Sequence, residues 1–250
     1  MFNRISQLLK WGVARFADQY AAKLQRADGS VLLMPAILPT DFKPSIILTL
    51  SAAATYGQSG NTVTVSSAGH NGVGRPSPTD LRVFWPGSGE IPSGWYDGYT
   101  HIDANTFSFT NPVPKTVASG SAITGSAKSA YITVAAFTMP TELAASGGLL
   151  THEIFASCDS TAAIKTVRTR VSGSLGGYYT VNGSARFGKR DLSIVFIGGR
   201  WYSPQASDGA SASLLSTGAF PSSGLVELCA YSDSDNTCLL FDSVKVRYVP

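Results

Sequence analysis

The sequence predicts a mainly β protein with an N-terminal amphipathic helix, a small β-barrel or sandwich module and a C-terminal jelly-roll-like antiparallel β-sandwich. Three observations lead to this prediction. Apolar residues recur with a helical period near the N-terminus, and short β-branched and aromatic segments separated by turn residues fill the rest. Charged residues make up only 14% of the chain, below the ~25% of an ordinary soluble domain. The 250 residues are predicted to divide at 1–45, 46–127 and 128–250.

The first predicted element is a helix over residues 2–26. Its apolar residues fall within a stripe about 100° wide on the helical wheel, and they are Phe2, Ile5, Leu9, Val13, Phe16, Tyr20 and Leu24. Gly12 destabilises a helix interior by ~1 kcal/mol relative to Ala, so packing against another surface has to hold this helix. The stripe is therefore predicted to be an anchoring interface. Pro35 and Pro39 then predict an extended strap that completes residues 1–45.

The small β module is predicted from short segments rich in β-branched and aromatic residues. Clusters of Gly, Asn, Ser and Pro separate them, which is typical of a small barrel or sandwich. The segments are 46–50, 62–66, 81–85, 95–99 and 106–109. The run 118–127 is low in bulk and charge, so we place the module boundary there.

The C-terminal module is predicted from a second series of strands. Glycine-rich breaks such as Gly176-Gly177 and Gly198-Gly199 carry the turns between them. The strands are 131–137, 149–158, 165–171, 178–181, 192–197, 225–231 and 244–249. Seven or eight antiparallel strands in a stretch of this length favour a jelly-roll-like sandwich.

The sequence does not predict catalysis. His70, His101 and His152 each stand alone, without the spacing of a metal site. Nucleophile-elbow, phosphate-loop and dinucleotide-binding motifs are missing. A glycosidase carboxylate pair needs no local motif and stays an alternative, with Glu90, Asp97, Asp103, Glu142, Glu153 and Asp191 as the candidates. Because solvated turn carboxylates are far commoner, we predict no enzyme, no metal site and no cofactor.

The cysteines and the N-terminal pattern indicate synthesis in a reducing cytoplasm. Three cysteines cannot form a complete disulfide framework, although a bridge between Cys229 and Cys238 stays an alternative. Lys10, Arg15 and Asp18 interrupt the first apolar run, which does not fit a signal peptide. No segment approaches the ~20 apolar residues of a membrane span.

Basic residues are concentrated only in the predicted helix. A net charge of +3 spread over the chain is too weak to predict nucleic-acid binding. The helix carries Arg4, Lys10, Arg15, Lys23 and Arg26. Such a helix fits a membrane interface or a protein partner, either as a helix in a groove or bundled with its own copies. Lys23 lies at the edge of the apolar stripe and a proline strap follows, and both favour protein docking.

Aromatic residues suggest a further alternative, a sugar-binding surface. Trp85, Trp95, Tyr96 and Tyr99 could stack on sugars, but such residues more often fill a barrel core. Aromatics of the C-terminal module, namely Tyr178, Tyr179, Trp201 and Tyr202, are the predicted glycan contacts.

Two separated segments resemble a small β module found in bacteriophage virion proteins. The first runs Asn61-Thr-Val-Thr-Val-Ser-Ser-Ala-Gly69-His70, and the second runs Asp103-Ala-Asn105-Thr106-Phe107-Ser-Phe109. In the family a "TVT…GHG" strand and turn precede an extended hairpin, and a "DANTF" turn leads into the closing strand. Here Asn71 separates His70 from Gly72, and the loop 75–80 differs. The resemblance covers residues 46–125.

The C-terminal module resembles a second phage module, a jelly roll of trimeric tail fibres and related appendages. The matching pieces are Gly148-Leu149-Leu150, Cys158-Asp159-Ser160-Thr161 and Lys165-Thr166-Val167-Arg168-Thr169-Arg170. The resemblance implies no catalytic residues. It does imply a homotrimeric tail fibre or short appendage, attached to other tail or capsid proteins through residues 1–45, with its last module displayed outward. The protein would then be located in the virion after synthesis in the bacterial host cytoplasm.

Two alternatives stay open. A capsid decoration protein of the head-fibre or cement type would spread its helix over the shell. A glycan-binding or glycan-depolymerising module would act on the host surface. Fold resemblance alone does not decide among these functions.

Overall fold

The protein is a mainly β structure, which confirms the predicted fold class at that level. The computed structural model describes residues 23–25, 31–33, 36–38, 40, 42–72, 81–139, 145, 147–182, 189–205, 213–220 and 224–249. The eighteen elements in these ranges are all strands, and they form four sheets. Within the same ranges no helix is long and apolar enough to span a membrane.

The largest sheet has nine strands. They are β3 (Ala36–Leu38), β4 (Ser45–Thr49), β6 (Arg82–Trp85), β7 (Gly94–Tyr96), β11 (Gly148–Cys158), β14 (Lys189–Ile197), β15 (Arg200–Gln205), β16 (Ser213–Ala219) and β18 (Thr237–Val249). Their order is β16-β15-β14-β11-β18-β4-β6-β7, and β3 pairs with β18 beside this path. Only the β4–β6 pair is parallel among the pairs of this sheet.

The other three sheets are smaller. The four-stranded sheet has the strands β10 (Ile132–Thr138), β12 (Ile164–Val171), β13 (Ser174–Asn182) and β17 (Leu225–Ser232), in the order β10-β17-β12-β13. The three-stranded sheet has β5 (Thr55–Ser66), β8 (Thr100–Asp103) and β9 (Thr106–Ala122), in the order β5-β9-β8. The two-stranded sheet pairs β1 (Lys23–Gln25) with β2 (Val31–Leu33).

The predicted N-terminal helix is wrong over residues 23–25 and otherwise lies outside the described residues. Lys23–Gln25 forms a strand in which Leu24 pairs with Leu32. A helix reaching Arg26 would have to break this backbone pairing. The other stripe residues, namely Phe2, Ile5, Leu9, Val13, Phe16 and Tyr20, precede the first described residue.

The four-stranded and nine-stranded sheets pack together through alternating side chains. On β12 the side chains of Val167 and Val171 are buried, while Arg168 and Arg170 lie on the opposite face. Two buried clusters fill the space between the sheets, the first around Val167, Leu228 and Ile154 and the second around Phe196, Trp201 and Tyr248. This core positions the outer face of each sheet.

The two predicted β modules share a sheet. Strand β4 belongs to the first module by sequence, yet Ile47 pairs with Leu239 on β18. Ile47 and Ala127 also belong to the same buried cluster as Val134. The boundary at 127/128 stays a prediction, since the main-chain hydrogen bonds of β4 and β18 cross between the two modules.

A third buried cluster holds the three-stranded sheet against β4 and β6. Trp85 packs edge-on against Tyr56 at 5.4 Å and tilted against Phe109 at 5.3 Å, and its Nε1 donates to the Ile91 carbonyl at 3.2 Å. Trp85 and Tyr99 are both buried, so the core interpretation is confirmed for them.

Candidate functional site

The two segments of the first resemblance form one structural unit. They pair directly along β5 and β9, where Val63 lies opposite Phe109 and Val65 opposite Phe107. The turns that follow also meet, since Ser67 N donates to the Asn105 carbonyl at 2.8 Å. We call residues 67–72 and 103–105 the paired turns.

His70 is the centre of the paired turns. Its Nδ1 accepts a hydrogen bond from Gly72 N at 2.9 Å, and its Nε2 lies 3.1 Å from the Asp103 carbonyl oxygen. A carbonyl only accepts, so Nε2 carries the proton and the ring is the neutral Nε2–H tautomer. Burial, and then the neighbouring His101, lowers the pKa of His70. This histidine is a saturated structural residue with no lone pair left for a metal.

Close contacts in the paired turns explain the residue types found there. Gly69 has φ +62 and its N donates to Asn105 Oδ1 at 3.0 Å. A Cβ on Gly72 would lie 2.5 Å from Tyr99 Oη and 2.7 Å from His70 Nδ1, so no side chain fits there. Space therefore requires glycine at position 72, and the left-handed backbone conformation favours glycine at position 69.

The four predicted glycan contacts do not form one surface. Tyr178 and Tyr179 are neighbours on β13 and point to opposite faces. Tyr178 faces outward beside Arg168, whereas Tyr179 packs against the first buried cluster. Trp201 is 1% exposed and lies in the second cluster, so its ring faces are not open to a sugar. Tyr202 lies on the other sheet, opposite Val195.

The outer face of the four-stranded sheet carries a different aromatic group, which we call the tyrosine–arginine cluster: Tyr131, Arg168, Tyr178 and Tyr231. The Arg168 guanidinium lies 5.4 Å from the Tyr131 ring centroid and 5.3 Å from that of Tyr178. Its Nη1 donates to Tyr131 Oη at 3.0 Å. The ring centroids of Tyr231 and Tyr131 lie 5.1 Å apart, so the four side chains form a continuous surface.

An ion pair stiffens the same face beside the cluster. Arg170 donates from Nε to Glu227 Oε2 and from Nη2 to Oε1, both at 2.7 Å, which is a bidentate arrangement. Thr133 Oγ1 adds a hydrogen bond to Glu227 Oε1 at 2.8 Å. The hydrogen bonds from Arg170 hold the pKa of Glu227 below its usual range.

The thiols offer no nucleophile on this face. Cys229 is fully buried, and its cross-strand neighbours are Thr133 on β10 and Arg168 on β12. Burial raises the pKa of its thiol. None of the three cysteines forms a disulfide, so the alternative of a bridge between Cys229 and Cys238 is wrong. The face can bind through ring stacking and hydrogen bonds, and its groups fit no covalent step.

A buried ion pair closes the turn between β11 and β12. Lys165 is 0% exposed, and its Nζ lies 3.1 Å from Asp159 Oδ1 and donates to Thr161 O and Oγ1 at 2.9 Å each. Burial opposes ionisation of Asp159, but hydrogen bonds from Thr161 and Cys238 N outweigh it and lower the pKa of this carboxyl. These contacts hold the turn together and attach it to β18, so the pair is structural.

The glycosidase candidates are mostly dispersed. Glu90 pairs with Lys115 at 3.3 Å, and Asp97 pairs with Lys43 at 3.3 Å. Asp103 Oδ1 accepts a hydrogen bond from Asn105 N within the 103–105 turn. Glu142 lies outside the described residues. Glu153 and Asp191 are cross-strand partners on the nine-stranded sheet.

Among the candidates that the structure describes, Glu153 and Asp191 are the one pair that the register brings together. Arg247 Nε lies 2.8 Å from Glu153 Oε1, so this carboxylate is engaged in an ion pair. The described residues include no cluster of three or more His, Cys, Asp or Glu able to hold a metal. Absence of enzymatic activity stays a prediction.

Sequence reasoning missed the tyrosine–arginine cluster, although one signal pointed to it. Period-two alternation in 165–170 places Arg168 and Arg170 on one face and Lys165 on the other. A lysine on the apolar face indicates a buried ion pair. Tyr178 lies on β13, Tyr231 lies on β17 and Tyr131 directly precedes β10, and no local pattern connects them.

Comparison with protein-family models gave no match, and comparison with curated proteins gave no match either.

Proposed function

We propose that the chain is a structural subunit of a bacteriophage virion, a homotrimeric tail fibre or short appendage that residues 1–45 attach to other virion proteins. The observation that carries the proposal is the pairing of the two motif segments. His70 and Asn105 form the hydrogen bonds that hold the paired turns together. The residues that resemble the phage module are thus the ones on which this local fold depends.

The surface chemistry supports assembly. Only 14% of residues are charged, and the exposed stretches of β5 and β9 are rich in Ser, Thr and Gly, so copies can approach a symmetry axis without strong like-charge repulsion. The finer parts of the proposal are a jelly-roll-like arrangement of the C-terminal strands and an anchoring helix before Lys23.

A deletion tests the attachment. Without residues 1–35 the chain should still fold and associate through its β sheets, but it should no longer join phage particles. A finer pair of variants is Leu9→Asp, on the predicted apolar stripe, and Gln7→Asp, on the opposite side of the wheel. Particle incorporation, measured by quantitative immunoblotting of purified phage, should fall only for Leu9→Asp; equal incorporation of all variants would reject the anchor.

Capsid decoration is the closest alternative, and it differs in where the subunit lies. Labelled particles imaged by electron microscopy should carry the protein on the tail or its appendages. Label distributed over the capsid shell would favour decoration instead.

A second candidate function is glycan binding, favoured by the tyrosine–arginine cluster. Exposed tyrosine rings stack on sugars, and a guanidinium donates to their hydroxyl or carboxylate oxygens. Tyr131→Ala should abolish binding on a glycan array, while Ile102→Ala, at an exposed apolar site on the three-stranded sheet, should leave it unchanged. Binding by neither the native chain nor either variant would reject this function.

A further inference from the structure

The outer face of the nine-stranded sheet carries a row of apolar side chains across four adjacent strands. Leu149 on β11 lies opposite Val249 on β18 and Val195 on β14, and Val195 lies opposite Tyr202 on β15. All four alternate with buried neighbours such as Leu150. We call them the apolar row. At strand spacings of ~4.8 Å the row is about 14 Å long.

The apolar row is open to solvent. Leu149 is 38% exposed, Val249 is 42% exposed, and Ile197, two residues beyond Val195 on the same face, is 61% exposed. A contiguous group of this kind on a sheet face is typical of an interaction site rather than of scattered surface apolar residues.

A charged row crosses the same face four residues further along β11. Glu153 lies opposite Asp191 on β14 and opposite Lys245 on β18. Glu153 is engaged by Arg247, whereas Asp191 and Lys245 are exposed. In the charged row the β14 position is therefore acidic and the β18 position is basic. Arg247 on β18 adds a second positive charge in the row between the charged row and the apolar row, where it lies opposite Thr151.

We infer that this face is an interface between copies of this chain, related by a rotation axis parallel to the strands. Rotation about such an axis does not shift a row along the strand direction, so the apolar row of one copy contacts the apolar row of the next. It also brings the β14 side of one copy to the β18 side of the next, where Asp191 meets Lys245. An in-plane axis perpendicular to the strands would bring Asp191 toward Asp191 and Lys245 toward Lys245.

The axis fits both a two-fold and a three-fold assembly, because both are closed rotations that repeat the Asp191–Lys245 contact. The inference rests on the proposed function in one respect, the self-association expected of a virion subunit. It adds which surface associates and which residues pair across it.

The test is the mass of the full-length chain in solution. Sedimentation equilibrium of the native chain should give an oligomer at micromolar concentration. Leu149→Glu should shift it to monomer, while Ile102→Glu, the same change away from this face, should not. Asp191→Lys and Lys245→Asp should each raise the dissociation constant by about tenfold, since close interfacial charge pairs couple by more than 1 kcal/mol.

Combining the two charge reversals should restore most of the lost affinity, because the pair is re-formed with its signs exchanged. Asp191 and Lys245 also neighbour Glu153 within one copy, so thermal unfolding of each variant is the control for an effect on folding. A monomeric native chain, an oligomer indifferent to Leu149→Glu, or a double variant no tighter than the singles would overturn the interface. Protease sensitivity gained in residues 1–22 of a monomeric Leu149→Glu chain would show that the N-terminal segment covers the face instead.

Particle incorporation separates this inference from the proposed function. A monomer that still joins particles refutes the interface alone. An oligomer of the expected kind that never joins particles refutes the virion function alone.

Discussion

Acid should destabilise the fold through one buried histidine, His152. It faces the core from β11, 6.0 Å from the Phe137 ring, and neither ring nitrogen has a hydrogen bond of normal geometry. Burial lowers the pKa of His152 to about 4, and the Leu192 backbone opposes this only in part. The unfolded chain binds a proton near pH 6.5, so between these values the unfolded state binds more protons and stability falls as pH falls.

The magnitude follows from the two pKa values. A lowering from 6.5 to about 4 is equivalent to about 3 kcal/mol when complete, of which about 2 kcal/mol is lost by pH 5. Urea unfolding at pH 7.5 and pH 5.0 measures this loss. In His152→Leu, which keeps the volume and removes the titrating ring, the difference between the two pH values should be smaller by that amount.

The comparison isolates His152. His70, whose pKa is also lowered, is retained in both chains, so its contribution cancels. At pH 7.5 the variant should be as stable as the native chain or more stable by about 1 kcal/mol, because it removes unsatisfied buried polar atoms. Equal pH dependence in the two chains would refute the reasoning.

Two further predictions concern packing and charge. Lys165→Met leaves Asp159 buried without its cation, so the free energy of unfolding should fall by about 3–5 kcal/mol. Urea unfolding measures this loss. A loss under 1 kcal/mol would mean that water reaches the carboxylate. Gly72→Ala places a Cβ 2.5 Å from Tyr99 Oη and should destabilise the fold by about 1–3 kcal/mol, measured by thermal unfolding. Gly89→Ala, with no atom within 4 Å of its added Cβ, should leave the stability unchanged in that assay.

The strands were predictable where buried and exposed side chains alternate. They were less predictable where only backbone hydrogen bonds to a neighbouring strand define them. Residues 62–66 were predicted, but β5 begins at Thr55, because Gln58 to Gly60 pair with β9 through main-chain groups that carry no sequence signal. In the same way the small residues predicted to end the module extend β9 to Ala122, opposite Thr55. Backbone pairing over long sequence separations decides both cases.

The candidate site was less predictable than the fold. Tyr178 and Tyr179 are adjacent in sequence, yet the strand period separates them onto opposite faces. Tyr131 and Tyr231 are distant in sequence and meet only because β10 and β17 are neighbours. The pairing of His70 with Asp103 was not predicted, since no periodicity connects the two turns.

The position of β18 has a consequence for how the chain reaches its fold. This strand lies between β11 on one side and β3 and β4 on the other, and Thr237 meets Thr49 across a separation of 188 residues. Such long-range pairing slows folding, since the loop must close before the contacts form. During synthesis β4 and β11 present unpaired edges until β18 leaves the ribosome. The nascent chain is therefore most prone to aggregate while β11 has been made and β18 has not, and chaperones that shield strand edges should increase its yield.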